Sequence, residues 1–486
     1  MNLLKRTGMM LALALAWSAA EAEITLPAVF ADGMVLQQQS RVKIWGKAKP
    51  DTEVSVVSSW NWQTARAKAD AEGRWTVQVE TPEAGGPYDL VVDNAGDSRE
   101  IRDVLIGEVW LCSGQSNMEE PMKGYPSQGI ENNLQDIMSS KDDGLRLFTV
   151  GKARSNVPLD SLKGEWQAAC PDVTAEFSAT AYYFGRYLRR ALQVPVGLIC
   201  SSVGGTPVEA WTSRETLGGF PYVDLPGLDE RRKGWQTPTT LYNAMIHPIE
   251  GYGIKGCIWY QGEANCEHSE TYAELLTAMV ASLRAGWGIG DFPFLYCQIA
   301  PYDYSIVTKA GQPVVNSAYL REAQSKAEKM IPGSSMVVLL DGGLTGGIHP
   351  RKKWLAGERL AMRALSQAYG SKVNTESPRF ASMTLEGPTA VLTFDRSPKY
   401  LDCTMGQYPE GFEMAGEDRV FHEAKAFIKW NTNQVYVTCP EVPVPVAVRY
   451  AFHNVAVASL FGQNGQPVSS FRTDDWPVEP ETPAEY

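Results

Sequence analysis

Between residues 24 and 105 apolar and polar side chains alternate with a period of two. "RVKIWGKA", "EVSVVSSW", "RWTVQVET" and "YDLVVDN" all carry the alternation, and turn residues such as "AEG" and "EAGGP" separate them. That period predicts strands with one buried face, and no helical stripe interrupts it, so a small β-sandwich is expected. The pattern changes at "DVLIGEVWLCSG". From there short continuous apolar runs ("VPVGLICSS", "IKGCIWYQG", "FPFLYCQIA", "SSMVVLLDG") alternate with helical stretches, among them "TAEFSATAYYFGRYLRRALQ", "SETYAELLTAMVASLRAGWG" and "KKWLAGERLAMRALSQAYG". Uniformly apolar strands alternating with helices predict an α/β fold whose parallel sheet is covered on both faces. Functional residues then belong in loops beyond the strands' C-terminal ends. From about residue 375 the β texture returns in "TAVLTFDR", "AKAFIKWNTNQVYVTC" and "PVAVRYAF".

Length divides this pattern into parts, because 486 residues exceed one ordinary core. Residues 1–22 hold Lys5, Arg6, an apolar run too short to span a bilayer and small residues around Ala20 and Ala22. They read as a signal peptide cleaved after Ala22, so an exported, soluble protein is expected, periplasmic or secreted. Residues 23–105 form the N-terminal β region, 106–372 the α/β region, and 373–486 a C-terminal β region able to pack with the N-terminal one.

A formal charge of −12 argues against nucleic acid and anionic membranes as partners. None of the eight cysteines forms a C-x2-C pair, and four sit inside strand-like runs, as buried thiols do. Cys403 and Cys439 are the pair to watch for a bridge.

Four strand-end loops carry residues suited to acyl transfer. "GEVWLCSGQSNM" delivers Ser116 into a small-residue turn, where a hydroxyl is exposed and backbone N–H groups are free to bind an oxyanion. Met118 rules out the G-x-S-x-G elbow. "CSSVGGTPVEAW" brings Gly204 and Gly205, which let a backbone approach a ligand closely. "GCIWYQGEANC" brings Gln261, Glu263 and Asn265 to the same rim. Of five histidines only His349 combines a strand-to-loop exit in the α/β region with a following helix; His247, His268, His422 and His453 sit where packing or solvent is the better reading.

In this order the blocks are similar to those of a known family. "LPAVFADGMVLQQ", "GEVWLCSGQSNM", "GGTPVEAW", "WYQGEAN", "IHPRKK" and "PVSSFRTDDW" together resemble the sialate O-acetylesterases, carbohydrate esterases of the SGNH-hydrolase superfamily. The resemblance implies an SGNH-type, flavodoxin-like parallel sheet between β-sandwich-type regions. It implies Ser116 as nucleophile and His349 as general base. The Ser116 amide, a Gly204 or Gly205 amide and the Gln261 side chain would bind the oxyanion, with Asn265 behind Gln261. The reaction would be hydrolysis of sugar acetyl esters through an acyl-serine, without metal or organic cofactor.

One departure stands out. Many relatives place an acid just before the histidine, as in "DIHP", whereas this chain has Gly346 and Gly347. A dyad, a recruited carboxylate or a lapse into an inactive carbohydrate-binding protein would each account for it. Recruitment of Glu263 is expected, because related esterases use a glutamate of the "QGE" block; Asp341 is the second candidate, though a brace is its better role. The resemblance favours 9-O-acetylated sialic acid, with acetylated xylan or another glycan as the alternative. For a sugar carboxylate Arg214 and Arg351 are the cationic candidates, and Trp211 is the candidate for stacking on a sugar face. Oligomeric state is not encoded in any pattern found.

Overall fold

The computed structural model describes residues 23–481 apart from Arg231, Pro398 and Met405. The expected signal peptide therefore lies outside the described residues. Among those residues no helix is long and apolar enough to cross a membrane.

The central sheet is built from β1 (Asp97–Gly114), β2 (Asp142–Thr149), β3 (Trp166–Ala169), β4 (Val196–Ser202), β5 (Gly256–Tyr260), β6 (Phe294–Cys297) and β7 (Ser334–Val337). Its order is β7-β6-β5-β1-β4-β2-β3, parallel except for β3 on β2. Successive side chains of a strand point to opposite faces, so each strand feeds two cores. Val109, Leu111, Cys257 and Trp259 enter the core shared with helix α3 (Ser269–Trp287), through Leu276 and Met279. Trp110, Cys112, Ile258 and Tyr260 enter the other, beneath α2 (Ala179–Leu192) and α5 (Lys353–Ala368). Those two helices touch at Gly357, where a Cβ would stand 2.6 Å from Tyr183 Cβ and 2.7 Å from Thr180 O, so only glycine permits the approach.

The boundary expected near residue 105 is not a linker. It falls inside β1, whose first half pairs antiparallel with Gly85–Asn94 and parallel with Val35–Gln37, while its second half lies between β4 and β5. Two small sheets make up the N-terminal region. Val42, Ile44, Trp75 and Val77 of one, and Val54, Val56, Leu90 and Val92 of the other, bury their side chains in one hydrophobic cluster. Gln37 fixes this region to the central sheet, donating to Glu108 at 3.0 Å and accepting from the Val109 N–H at 2.9 Å.

The C-terminal region is a seven-stranded antiparallel sheet from Arg379–Glu386 at one edge to Phe471–Arg472 at the other. Phe380 and Phe471, from those two edge strands, stack with ring centroids 4.7 Å apart, so the sheet curls into a near-barrel. It docks on α4 (Ala318–Met330) through the fully buried Arg321, which donates to Ser470 Oγ at 3.0 Å and to the carbonyls of Ala451 at 3.2 Å and His453 at 2.6 Å. Cys439 is a thiol held 3.2 Å from Glu441 Oε2, so the Cys403–Cys439 bridge is absent.

Candidate active site

β1, β4 and β5 lie side by side, and their C-terminal ends bring Ser116, Gly204 and Glu263 to one edge of the sheet. Gly114 makes the turn into Ser116 possible: its φ is +139°, and a Cβ there would lie 2.2 Å from Tyr260 O. Ser116 is half-buried and opens the short helix α1 (Ser116–Glu119). A Cβ on Gly204 would stand 3.3 Å from Ser116 Cβ, which sets the Gly204 amide beside the hydroxyl-bearing residue. That amide donates to Glu119 Oε2, and the other carboxylate oxygen of Glu119 accepts from Lys152. An anionic oxygen thus already rests on this N–H.

Beneath Ser116 the charges are wholly buried. Lys353 pairs with Glu120 at 2.8 Å, the two side chains being 1% and 2% exposed, and also donates to Asn117 Oδ1. Asn117 in turn donates to Glu263 Oε1 at 2.6 Å and to the Ile348 carbonyl at 3.1 Å. One amide therefore ties the serine turn, the β5 loop and the histidine loop together. Burial raises the pKa of Glu263, opposed by its bond from Asn117 and by the charge of Lys353; burial lowers that of Lys353, opposed chiefly by Glu120.

His349 is half-buried, with the edge of Tyr125 against its ring at a centroid distance of 5.4 Å. Burial, helped by the positive charge of Lys353, lowers its pKa to about 4. Its Nδ1 hydrogen-bonds Gln128 Oε1. Among the described residues no group of three or more His, Cys, Asp or Glu is placed to hold a metal ion.

Beside Glu263 and Ile348 runs a cleft of about 970 Å³, walled by Tyr304, the segment Val307–Asn316 and the tail segment Val478–Pro480.

With this arrangement in view, comparison with known proteins is decisive. Residues 106–338 match the family described as carbohydrate esterase, sialic acid-specific acetylesterase. A carbohydrate acetylesterase from Xanthomonas citri superposes with a TM-score of 0.84 at 38% identity, covering 93% of this chain and 100% of that one. The chain belongs to this carbohydrate esterase family. Sialate O-acetylesterases of Rattus norvegicus and Homo sapiens are 29% and 28% identical to it, each across 73% of this chain and 74% and 71% of their own lengths.

Within this acetylesterase several expected roles change. Gln261 does not face the serine: it is fully buried, donates to Thr206 O at 3.2 Å and Asn265 Oδ1 at 2.7 Å, and accepts from Tyr272 at 3.0 Å. Asn265 is equally engaged, with Val208 N–H on its oxygen and Glu209 on its amide. Both satisfy buried polar groups of the loop, and the Gln261 amide has both its N–H groups engaged there. Glu263 is not on the imidazole; Asn117 stands between it and the histidine loop. Asp341 pairs with Arg359 through two contacts of 2.6 Å and is a brace. Trp211 is 1% exposed and donates to Thr206 Oγ1, so no sugar reaches its face. Arg214 reaches the Pro226 carbonyl, and Arg351 the Gly129 carbonyl at 3.1 Å. Glu120, close to Ser116 in sequence, is buried. Asn117, Gln128 and Lys353 were not singled out from sequence; Asn117 and Lys353 at least stand within the serine and histidine blocks, whereas Gln128 carries no such signal.

Proposed function

We infer that the protein is an exported esterase removing O-acetyl groups from sugars, with Ser116 as nucleophile and His349 as base in an SGNH-type site. The observation carrying this reading is the carboxylate of Glu119 on the Gly204 amide beside Ser116. A backbone N–H that binds a carboxylate oxygen there suits the oxyanion of a tetrahedral acyl intermediate. The Ser116 N–H is the second donor, and Gly205 is the alternative within its block. Neutral His349 takes the Ser116 proton as Oγ attacks the acetyl carbonyl. The imidazolium returns that proton to the departing sugar oxygen, and a water deprotonated by the same ring then releases acetate from the serine ester. Glu263 contributes by holding Asn117, and through it the Ile348 carbonyl, in place.

Family membership favours 9-O-acetylated sialic acid as substrate. The cleft beside the site supports a second reading. Glu263, Glu267 and Glu479 line it, with Lys309 as the single cation among the described residues, a setting that suits an acetylated neutral glycan such as xylan better than a sugar bearing its own carboxylate. Acetate release should be measured from an activated acetate ester, acetylated sialic acid and acetylated xylo-oligosaccharide, with Ser116→Ala and His349→Ala alongside. Absence of acetate release would overturn the esterase reading and favour the carbohydrate-binding one, release that survives Ser116→Ala would overturn the serine mechanism, and the ratio between the two sugars decides the substrate.

A further inference from the structure

We propose that Gln128 is the positioning residue that takes the place of the orienting acid: its amide oxygen accepts the Nδ1 proton of His349 and thereby leaves the lone pair on Nε2. This rests on the reading of His349 as the base.

Two loops remote in sequence are joined here. The Glu131 N–H donates to Arg351 O at 2.9 Å, and Arg351 Nε donates back to Gly129 O at 3.1 Å. Trp354 Nε1 reaches Glu131 Oε1 at 3.3 Å. Gln128 closes its own turn by donating its N–H to Tyr125 O at 2.9 Å, and the Tyr125 ring lies edge-on to the imidazole. The histidine is therefore gripped through its backbone neighbour, its ring edge and its Nδ1. The ring is held neutral, and a neutral imidazole needs an acceptor on Nδ1 but no counter-charge. An amide oxygen meets that need without bringing a third carboxylate into a site that already holds Glu119 and Glu263. The amide stabilises the imidazolium of the transition state less than a carboxylate would.

The chemistry separates Gln128→Met, whose thioether is only a weak acceptor, from Gln128→Glu, which accepts strongly and adds charge. Gln128→Met is expected to lower kcat by ~10²-fold or more with KM little changed and the melting temperature retained. Gln128→Glu is expected to remain active, with the acidic limb of its kcat/KM profile moved to higher pH as the carboxylate raises the His349 pKa. Space also exists for the missing acid. A Cβ at Gly347 would meet only Leu344 at 3.5 Å and 3.7 Å and His349 O at 3.9 Å, all ordinary contacts. Gln128→Met combined with Gly347→Asp should therefore recover part of the lost turnover. Wild-type-like kcat in Gln128→Met, or an unmoved acidic limb in Gln128→Glu, would overturn the proposal. Turnover that survives Ser116→Ala would instead overturn the serine mechanism, whatever the Gln128 variants do.

Discussion

Asn117 donates to Glu263 Oε1 at 2.6 Å, while Glu263 Oε2 is buried without a partner. Glutamine at position 263 keeps an oxygen for Asn117 and relieves the burial of a charge. Glu263→Gln is accordingly expected to stay within about ten-fold of wild-type kcat, whereas Glu263→Ala frees Asn117 and forfeits a charge-assisted bond of about 1.5–3 kcal/mol. A loss of ~10⁴-fold in Glu263→Gln, the scale seen when a triad acid is spoiled, would restore Glu263 as the acid.

The Lys353–Glu120 pair is a liability as soon as one member is removed. Lys353→Met strands a buried carboxylate and should destabilise the fold by about 3–5 kcal/mol in urea titrations. Adding Glu120→Gln should return most of that loss. Equal stability of the single and double variants would mean that Glu120 is not charged in the fold.

His349 makes a pH prediction with a definite sign. Its pKa falls from the usual 6.5 to about 4 in the fold. The unfolded chain therefore takes up this proton first, so the group's contribution to stability is fully present above about pH 6.5 and declines as pH falls toward 4. The acidic limb of kcat/KM should lie near pH 4 for the same reason. A limb at the ordinary imidazole value would show that the free enzyme does not bury the ring this way.

Glu119 occupies the amide proposed here for the substrate oxyanion, and Lys152 secures it there. Substrate must displace it. Glu119→Ala should raise kcat/KM about 5-fold, chiefly through KM, and free acetate should inhibit that variant more strongly than wild type. A fall in kcat/KM instead would mean that Glu119 assists binding rather than competing with it.

The positions of Ser116, Gly204, Glu263 and His349 on one rim were legible because parallel strands export their loops to a common edge, and uniformly apolar runs betray such strands. What a side chain does after reaching the rim is a different matter. Gln261 and Asn265 follow β5 just as an outward-facing pair would, but their amides are consumed by Thr206, Val208, Glu209 and Tyr272, and none of those bonds leaves a trace in local pattern. Trp211 reads equally well as a sugar platform and as core; its indole N–H on Thr206 decides. Gln128 was invisible for the opposite reason. It lies in an ordinary polar turn, and its meeting with His349 depends on two loops more than two hundred residues apart in sequence.

The strand Asp97–Gly114 gives the N-terminal region a hold over the chemistry that no linker could have. Beyond an irregularity between Ile101 and Val104, its residues keep one phase from Leu105, paired with Val35, to the threshold of Ser116. Insertion or deletion of a single residue between Ile106 and Ser113 would exchange its two faces, sending Trp110 toward the space of Val109 and turning the serine's approach by half a pleat. The outer sheet thus works as a ruler that fixes where the turn of Ser116 begins.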